Sequence, residues 1–280
     1  MEHLHQISAP SRLQWSGRTD RGRVRPNNED SFLALQFDAQ EVRHLGKVGE
    51  AALADVDFVF AVSDGMGGAK SGEFASRVTV EKITRLLPRA FKQSAIGLEA
   101  GCNEVLSELF HQIHQTLKFV GASYEECSGM GATLSLCWFT PGWVYFAHIG
   151  DSRIYSLSAR NGGIRQISHD DTHVGWLFRN GKISEREARN HPRRTVLQRA
   201  LGAGNQFVEP QVGAVACEAG DIFLLCTDGL VDGLYDAQLE DFLREGEHAG
   251  SDETPASRLV RESLDRAGRD NTTALVVQAV

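Results

Sequence analysis

Several acidic residues of this chain stand where an apolar run ends or begins. Phe58 to Val62 is an unbroken apolar run that leads into Asp64-Gly65-Met66-Gly67-Gly68. Ile222 to Cys226 is a second, closed by Thr227-Asp228-Gly229. Asp270-Asn271 comes just before the strand-like Thr272 to Val277, and Asn28-Glu29-Asp30 just before Ser31 to Phe37. Asp151 follows Gly150 at the end of Trp143 to Ile149. Carboxylates delivered to the rim of a core, beside glycines that let a backbone carbonyl approach a ligand, are what an oxygen-ligated divalent cation needs. Any one of them alone reads more readily as a strand end with a capping acid. Their recurrence over the whole chain describes a site built at one edge of a sheet.

The elements that must position these acids follow from periodicity. Leu13 to Gly17 reads as a short first strand, and Thr19 to Glu29 as a polar loop which, with Arg18 before it, is rich in arginine. Ser31 to Phe37 pairs plausibly with the apolar run that reaches Ser63. Between them, 38–55 is an insertion of no clear type. Glu73 to Leu87 has helical spacing closed by Pro88, and Val105 to Val120 carries a stronger apolar stripe. His111 and His114 in that stripe have no third ligand nearby, so an exposed helix face is the expectation. Ala132 to Phe139, Trp143 to Ile149 and Arg153 to Leu157 read as strands, the first two joined by a Pro141-Gly142 turn. His148, inside the middle one, reads as a satisfied core histidine. Ser184-x-x-Glu187 is a capping box, and Thr254-Pro255 a cap followed by an N1 proline for a helix reaching about Ala267. Val208 to Ala216, Asp221 to Cys226 and Thr273 to Val277 complete an antiparallel sheet system flanked by helices.

A chain of 280 residues with 41% hydrophobic content can bury a sizeable core in one domain. A net charge of −8 without basic runs argues against nucleic acid and acidic membrane surfaces. Met1 to Pro10 lacks the basic and apolar regions of a signal peptide, and no run approaches the length of a membrane span, so the expectation is a cytoplasmic protein. The five cysteines contain no C-x-x-C pair and fit reduced, buried thiols.

Taken in order, Arg25-x-x-Asn28-Glu29-Asp30, Asp64-Gly65-Met66-Gly67-Gly68, Ser128-Gly129-Met130-Gly131-Ala132-Thr133, Gly150-Asp151-Ser152-Arg153, Thr227-Asp228-Gly229-Leu230-Val231-Asp232 and Asp270-Asn271 resemble one family. It is the metal-dependent protein serine/threonine phosphatases of type 2C, in their bacterial-type branch. The resemblance spans nearly the whole chain and implies an α+β fold of two stacked antiparallel β-sheets flanked by antiparallel helix pairs, a four-layer αββα sandwich. It implies one phosphatase domain over 1–280, with 1–11 flexible and 169–199 a flap beside the site. By the same resemblance Asp64 bridges two ions, Mn²⁺ or Mg²⁺, with the Gly65 carbonyl on one of them. Asp228 and Asp270 hold one ion, Glu29 and Asp30 lie in or just behind the ligand set, and Arg25 grips the phosphoryl group. Asp151, Asp228 and Asp232 match a third-ion site. The implied partners are phosphorylated proteins and a cognate serine/threonine kinase, and the chain is expected as a monomer.

These residue types suit the reaction. A phosphomonoester dianion repels hydroxide, so positive charge and a nucleophile must be supplied together, and a pair of hard cations on oxygen ligands does both. One departure stands out: some relatives carry a histidine after Asp-Gly, where this chain has Met66, and a thioether has no proton to give a leaving group. Two other readings stay open, a non-catalytic binding module on the same fold and a hydrolase of small phosphoesters. The presence of Asp64, Asp228 and Asp270 counts against the first.

Overall fold

The structure is a computed structural model that describes residues 10–38, 40–54, 56–95, 101–160, 162–204, 207–244 and 253–280. Five strands open the chain: β1 (Arg12–Asp20), β2 (Asp30–Phe37), β3 (Val42–His44), β4 (Val48–Ala52) and β5 (Asp57–Met66). Two long helices follow, α1 (Ala69–Ala95) and α2 (Cys102–Ser123), then β6 (Gly131–Ala132), β7 (Leu134–Thr140), β8 (Trp143–Ile149), β9 (Arg153–Leu157) and β10 (Ile164–Gln166). The short α3 (His173–Arg179) and α4 (Glu185–Arg189) precede β11 (Leu201–Gly202), β12 (Gln211–Ala216) and β13 (Ile222–Cys226). Then come α5 (Asp228–Gly233), α6 (Asp236–Arg244), α7 (Pro255–Arg266) and β14 (Thr272–Ala279).

One sheet runs β10-β9-β13-β14-β1-β4 and the other β11-β6-β5-β7-β8-β12, with β2 paired to β5 and β3 to β2. Every pairing is antiparallel. The period-2 alternation of side chains explains why the apolar runs are unbroken. In β5, Phe58, Phe60 and Val62 point into the space between the sheets, while Val59 and Ala61 face α1 and α2. In β13, Phe223 and Leu225 point inward and Leu224 and Cys226 face α5 to α7. A strand covered on both sides has no polar face, and that makes four layers, α, β, β, α. Phe139 and Phe223 join the two sheets by an edge-to-face contact at 5.2 Å between centroids, and Phe60 packs edge-to-face on Phe139 within its own sheet at 5.5 Å.

The structure corrects several boundaries. β5 does not stop at Asp64 but pairs on through Gly65 and Met66 with β6. α1 starts at Ala69 and runs past Pro88, since a proline removes one intrahelical bond without having to end a helix that other contacts hold. The insertion is structured: β3 pairs with β2, and β4 pairs with the edge of β1, so it reaches both sheets. α5 and α6 carry no long periodic stripe and were not anticipated. His114 is buried, not exposed, and its Nδ1 accepts the Gly202 N–H at 3.0 Å, which ties α2 to β11. The terminal segment expected to be flexible lies, over 1–9, outside the described residues. All five cysteines are free.

Candidate metal centre

The acids gather because the strands that carry them end together. Asp30 and Asp64 are direct cross-strand partners in the β2–β5 ladder. Asp228 follows β13, Asp270 precedes β14, and β13 and β14 are themselves neighbours. Asp151 lies two residues beyond β8, at the same end of its sheet.

The backbone around Asp64 is clamped by a residue that sequence reasoning passed over. Thr133 N–H donates to the Asp64 carbonyl at 2.8 Å, and Asp64 N–H donates to Thr133 Oγ1 at 3.0 Å. Ser63 Oγ donates to the Thr133 carbonyl at 2.7 Å, and Gly65 N–H to the Glu29 carbonyl at 3.1 Å. A Cβ on Gly65 would overlap the Gly72 carbonyl, so only glycine lets the start of α1 lie against the Asp64 turn. Glu29 packs its carboxyl against Gly72 there. Asn271 does for the opposite rim what Thr133 does for Asp64. Its Nδ2 donates to the carbonyls of Arg21 and Asn27 at 2.8 and 2.9 Å, and its Oδ1 accepts the Glu29 N–H at 2.8 Å. Asn271 stands beside the predicted ligand Asp270, and Thr133 closes the run Ser128-Gly129-Met130-Gly131-Ala132-Thr133; those positions are the signal that could have found their roles.

Burial sets the electrostatics. It pushes Asp30 up to about 7, even though Thr273 and Thr227 hydroxyls donate to its Oδ2 at 2.6 and 2.8 Å. Asp151 is also pushed up to about 7 by burial, with Asp170 adding repulsion and Arg153 opposing it. Asp64 and Asp228 are driven well above the usual carboxylate range, first by burial and then by neighbouring acids that include Asp30, Asp151 and Asp270. Glu29 is raised by burial too.

Two buried oxygens of this cluster, Asp30 Oδ1 and Asp228 Oδ1, have no hydrogen-bond partner. Unpaired acceptors on crowded acids are where a cation fits. Among the described residues no three acidic, histidine or cysteine side chains close into a cage. Carboxylate and carbonyl oxygens are hard donors of the kind that divalent cations such as Mg²⁺ and Mn²⁺ take.

Arg25 reaches the rim, where its Nη2 donates to Asp270 Oδ2 at 2.7 Å. Asp232 lies one turn after Asp228 on α5 and pairs with Arg194 at 2.6 Å. Within 169–199, residues near both ends are tied to Gly150, Arg153 and α5. At the base, Asp171 exchanges hydrogen bonds with Gly150, its N–H donating to the carbonyl at 2.7 Å and its Oδ2 accepting the amide at 3.0 Å. It also pairs with Arg199 at 2.5 Å. Asp170 takes a two-pronged grip from the half-buried Arg153, at 3.0 and 2.7 Å. Further out, Arg189 stacks on Tyr235 with its guanidinium carbon 3.9 Å from the ring centre, and donates to the carbonyls of Val231 and Leu234. His148 bonds Ser135 and the Gly150 carbonyl, and burial holds its pKa down, as expected of a neutral core histidine.

Comparison with known proteins agrees with this geometry. Residues 48–266 match the family model described as protein phosphatase 2C. The serine/threonine phosphatase stp of Listeria innocua is 33% identical over 262 residues, covering 93% of this chain and 94% of that one. The Mycobacterium tuberculosis serine/threonine phosphatase PstP/Ppp superposes with a TM-score of 0.75 at 32% identity, over 95% of this chain and 98% of that one. A structure of the PstP catalytic domain in complex with two manganese ions superposes with a TM-score of 0.73 at 31% identity, over 96% and 99% of the two chains. With its two antiparallel sheets, its flanking helices and its strand-end acids, the chain belongs to the protein phosphatase 2C family, the metal-dependent serine/threonine protein phosphatases, in its bacterial branch.

Proposed function

We propose that this chain hydrolyses phosphoserine and phosphothreonine in proteins with two divalent cations, Mn²⁺ or Mg²⁺, held by the strand-end acids. The observation that carries this reading is the pair of buried, partnerless oxygens Asp30 Oδ1 and Asp228 Oδ1 in a cluster whose members repel one another. Bound divalent cations supply Lewis-acid charge and a water acidic enough to attack phosphorus near neutral pH. Asp64, central among the acids, would be shared by both ions. Asp228 and Asp270 would hold one, with the Gly65 carbonyl, Glu29 and Asp30 completing or supporting the set. Asp30 gives its Oδ2 to two threonine hydroxyls, so Oδ1 is the oxygen it has to offer.

Arg25 presents a planar fork that matches two phosphoryl oxygens and, in leaving Asp270, would free that carboxylate. Met66 cannot protonate the leaving alkoxide. That proton would come from water on the flap side, where Asp151, Asp228 and Asp232 form the third-ion set. Asp232 can join such a set once its pair with Arg194 opens. The chain would act as a single catalytic domain and a monomer in the cytoplasm, on phosphorylated proteins and against a cognate serine/threonine kinase. Among the described residues no helix is long and apolar enough to cross a membrane.

The test is substrate class. With saturating Mn²⁺, phosphate release is expected from phosphoserine and phosphothreonine peptides at least about a hundredfold faster, in kcat/KM, than from phosphotyrosine peptides or nucleotides. Faster turnover of nucleotides or sugar phosphates would replace this reading with that of a small-phosphoester hydrolase.

A further inference from the structure

The loop between β1 and β2 carries a feature that the reading above does not use. Arg18, Arg21, Arg23 and Arg25 fall within eight residues that contain one acid, Asp20, on a chain whose net charge is −8. From Arg21 onward the arginines alternate, and Arg21, Arg23 and Arg25 are all exposed. Arg25 faces Asp270 at the centre, and Arg21 and Arg23 precede it on the same loop.

This strip is built, not merely solvated. Asn271 holds the Arg21 carbonyl at 2.8 Å, Arg23 N–H donates to the Gly268 carbonyl at 2.8 Å, and Asp20 caps the Gly22 N–H at 2.9 Å. Gly22, at φ 77°, is where the loop backbone meets the Asp270 carbonyl, and any Cβ there would collide with it. The same contacts bring Arg269, flanked by Gly268 and Asp270, against the strip. Arg21 donates from Nη1 to the Pro26 carbonyl of its own loop at 3.3 Å, which leaves its Nη2 edge outward, and neither Arg21 nor Arg269 has a carboxylate partner among the described residues. Arg23 pairs with Asp265 at 2.8 Å, but both side chains are about 60% exposed, at 61% and 60%, so the pair is weak and easily exchanged for a stronger anion.

Resting on the proposed phosphatase activity, we propose that Arg21 and Arg269, with Arg23 beside them, recognise a second phosphoryl group on the substrate chain. A substrate carrying two nearby phosphorylated side chains is the partner this strip fits. Four residues of extended backbone span at most about 14 Å. A second phosphate two to four positions from the one being hydrolysed would therefore reach Arg21 or Arg269 while the first faces Arg25. Guanidinium forks on a fixed loop bind a dianion better than a carboxylate, and they do so at little ordering cost.

The experiment compares peptides with one phosphothreonine, with a second phosphate two, three or four residues away, and with aspartate in that second place. Wild-type protein in Mn²⁺ at low salt should favour a doubly phosphorylated peptide by about tenfold in kcat/KM, mainly through KM. Arg21→Ala/Arg269→Ala, whose folding is checked by its thermal midpoint, should lose that preference while turning over the singly phosphorylated peptide and p-nitrophenyl phosphate at the wild-type rate. A preference that survives in the variant, or an aspartate peptide favoured as strongly as the doubly phosphorylated one, would overturn the inference. Failure of the wild type on every phosphopeptide, with small phosphoesters still hydrolysed, would instead overturn the function on which it rests.

Discussion

Asp57, at the start of β5, and Asp64, two residues before its end, show how little residue type alone decides. Asp57 meets one donor, the Trp138 indole at 2.9 Å, and burial pushes its pKa to about 6. An acid raised in the folded state stabilises the fold only while protonated. Its favourable contribution is complete below about pH 4, is lost between about 4 and 6, and above that the buried charge costs roughly 2 kcal/mol. Asp57→Asn keeps an acceptor for the indole. Urea unfolding should show the variant more stable by about 2 kcal/mol at pH 8 and little changed at pH 4; a loss of stability at pH 8 would contradict this. Asp64 is raised by burial and then further by the acids around it, a crowding that under the proposed function a cation would relieve. Arg25 belongs to the same scale. Arg25→Ala should lower kcat/KM by roughly ten- to a hundredfold, more through KM than kcat, if its fork holds the ground-state phosphate. A loss confined to kcat would place that fork in the transition state alone.

At the scale of elements, the segment 169–199 is held to the rest by a few arginines, so its stability should be local. Arg189→Ala removes a ring stack, two carbonyl hydrogen bonds and the Glu185 pair. Its opening should become easier by about 2 kcal/mol, seen as roughly 30-fold faster amide exchange in α3 and α4 with β5 and β7 unchanged. Exchange at the wild-type rate would mean that the base contacts at Asp171 and Asp170 suffice. The elements that place the acids were legible because doubly covered strands leave long apolar runs, as at Phe58 to Val62 and Ile222 to Cys226. β3, β4 and α6 were not, because short elements with exposed or charged faces carry no such run. The continuation of α1 past Pro88 shows that a proline inside a helical pattern is a stop signal the backbone can override. Glu29, Asp30, Asp64, Asp151, Asp228 and Asp270 were readable as acids near strand ends, while the Gly65 carbonyl and Asp232 came from the family resemblance alone. The clamping roles of Thr133, Asn271, Thr227 and Thr273 were not, because each takes its meaning from a partner that another segment of the chain supplies.

For the whole molecule, the acid cluster makes stability and cation binding one equilibrium. Asp30 and Asp151 sit at about 7, raised, so in chelator the fold should weaken as pH rises from 6 to 8 and these groups must ionise against one another. A bound cation reverses the sign, because it favours the ionised forms and expels their protons. Mn²⁺ should therefore raise the thermal midpoint by roughly 5 °C or more at pH 8 and by less at pH 6. A gain independent of pH would place the ions away from these acids.

The most direct test of the carboxylate centre is a Mn²⁺ binding isotherm, by calorimetry, for wild-type protein and for Asp64→Asn, a change that keeps side-chain volume and removes the shared charge. The account predicts two ions bound by the wild type with release of protons, and loss of at least one in a folded variant that no longer hydrolyses phosphothreonine peptide. An unchanged isotherm, or wild-type turnover by the variant in saturating Mn²⁺, would contradict it.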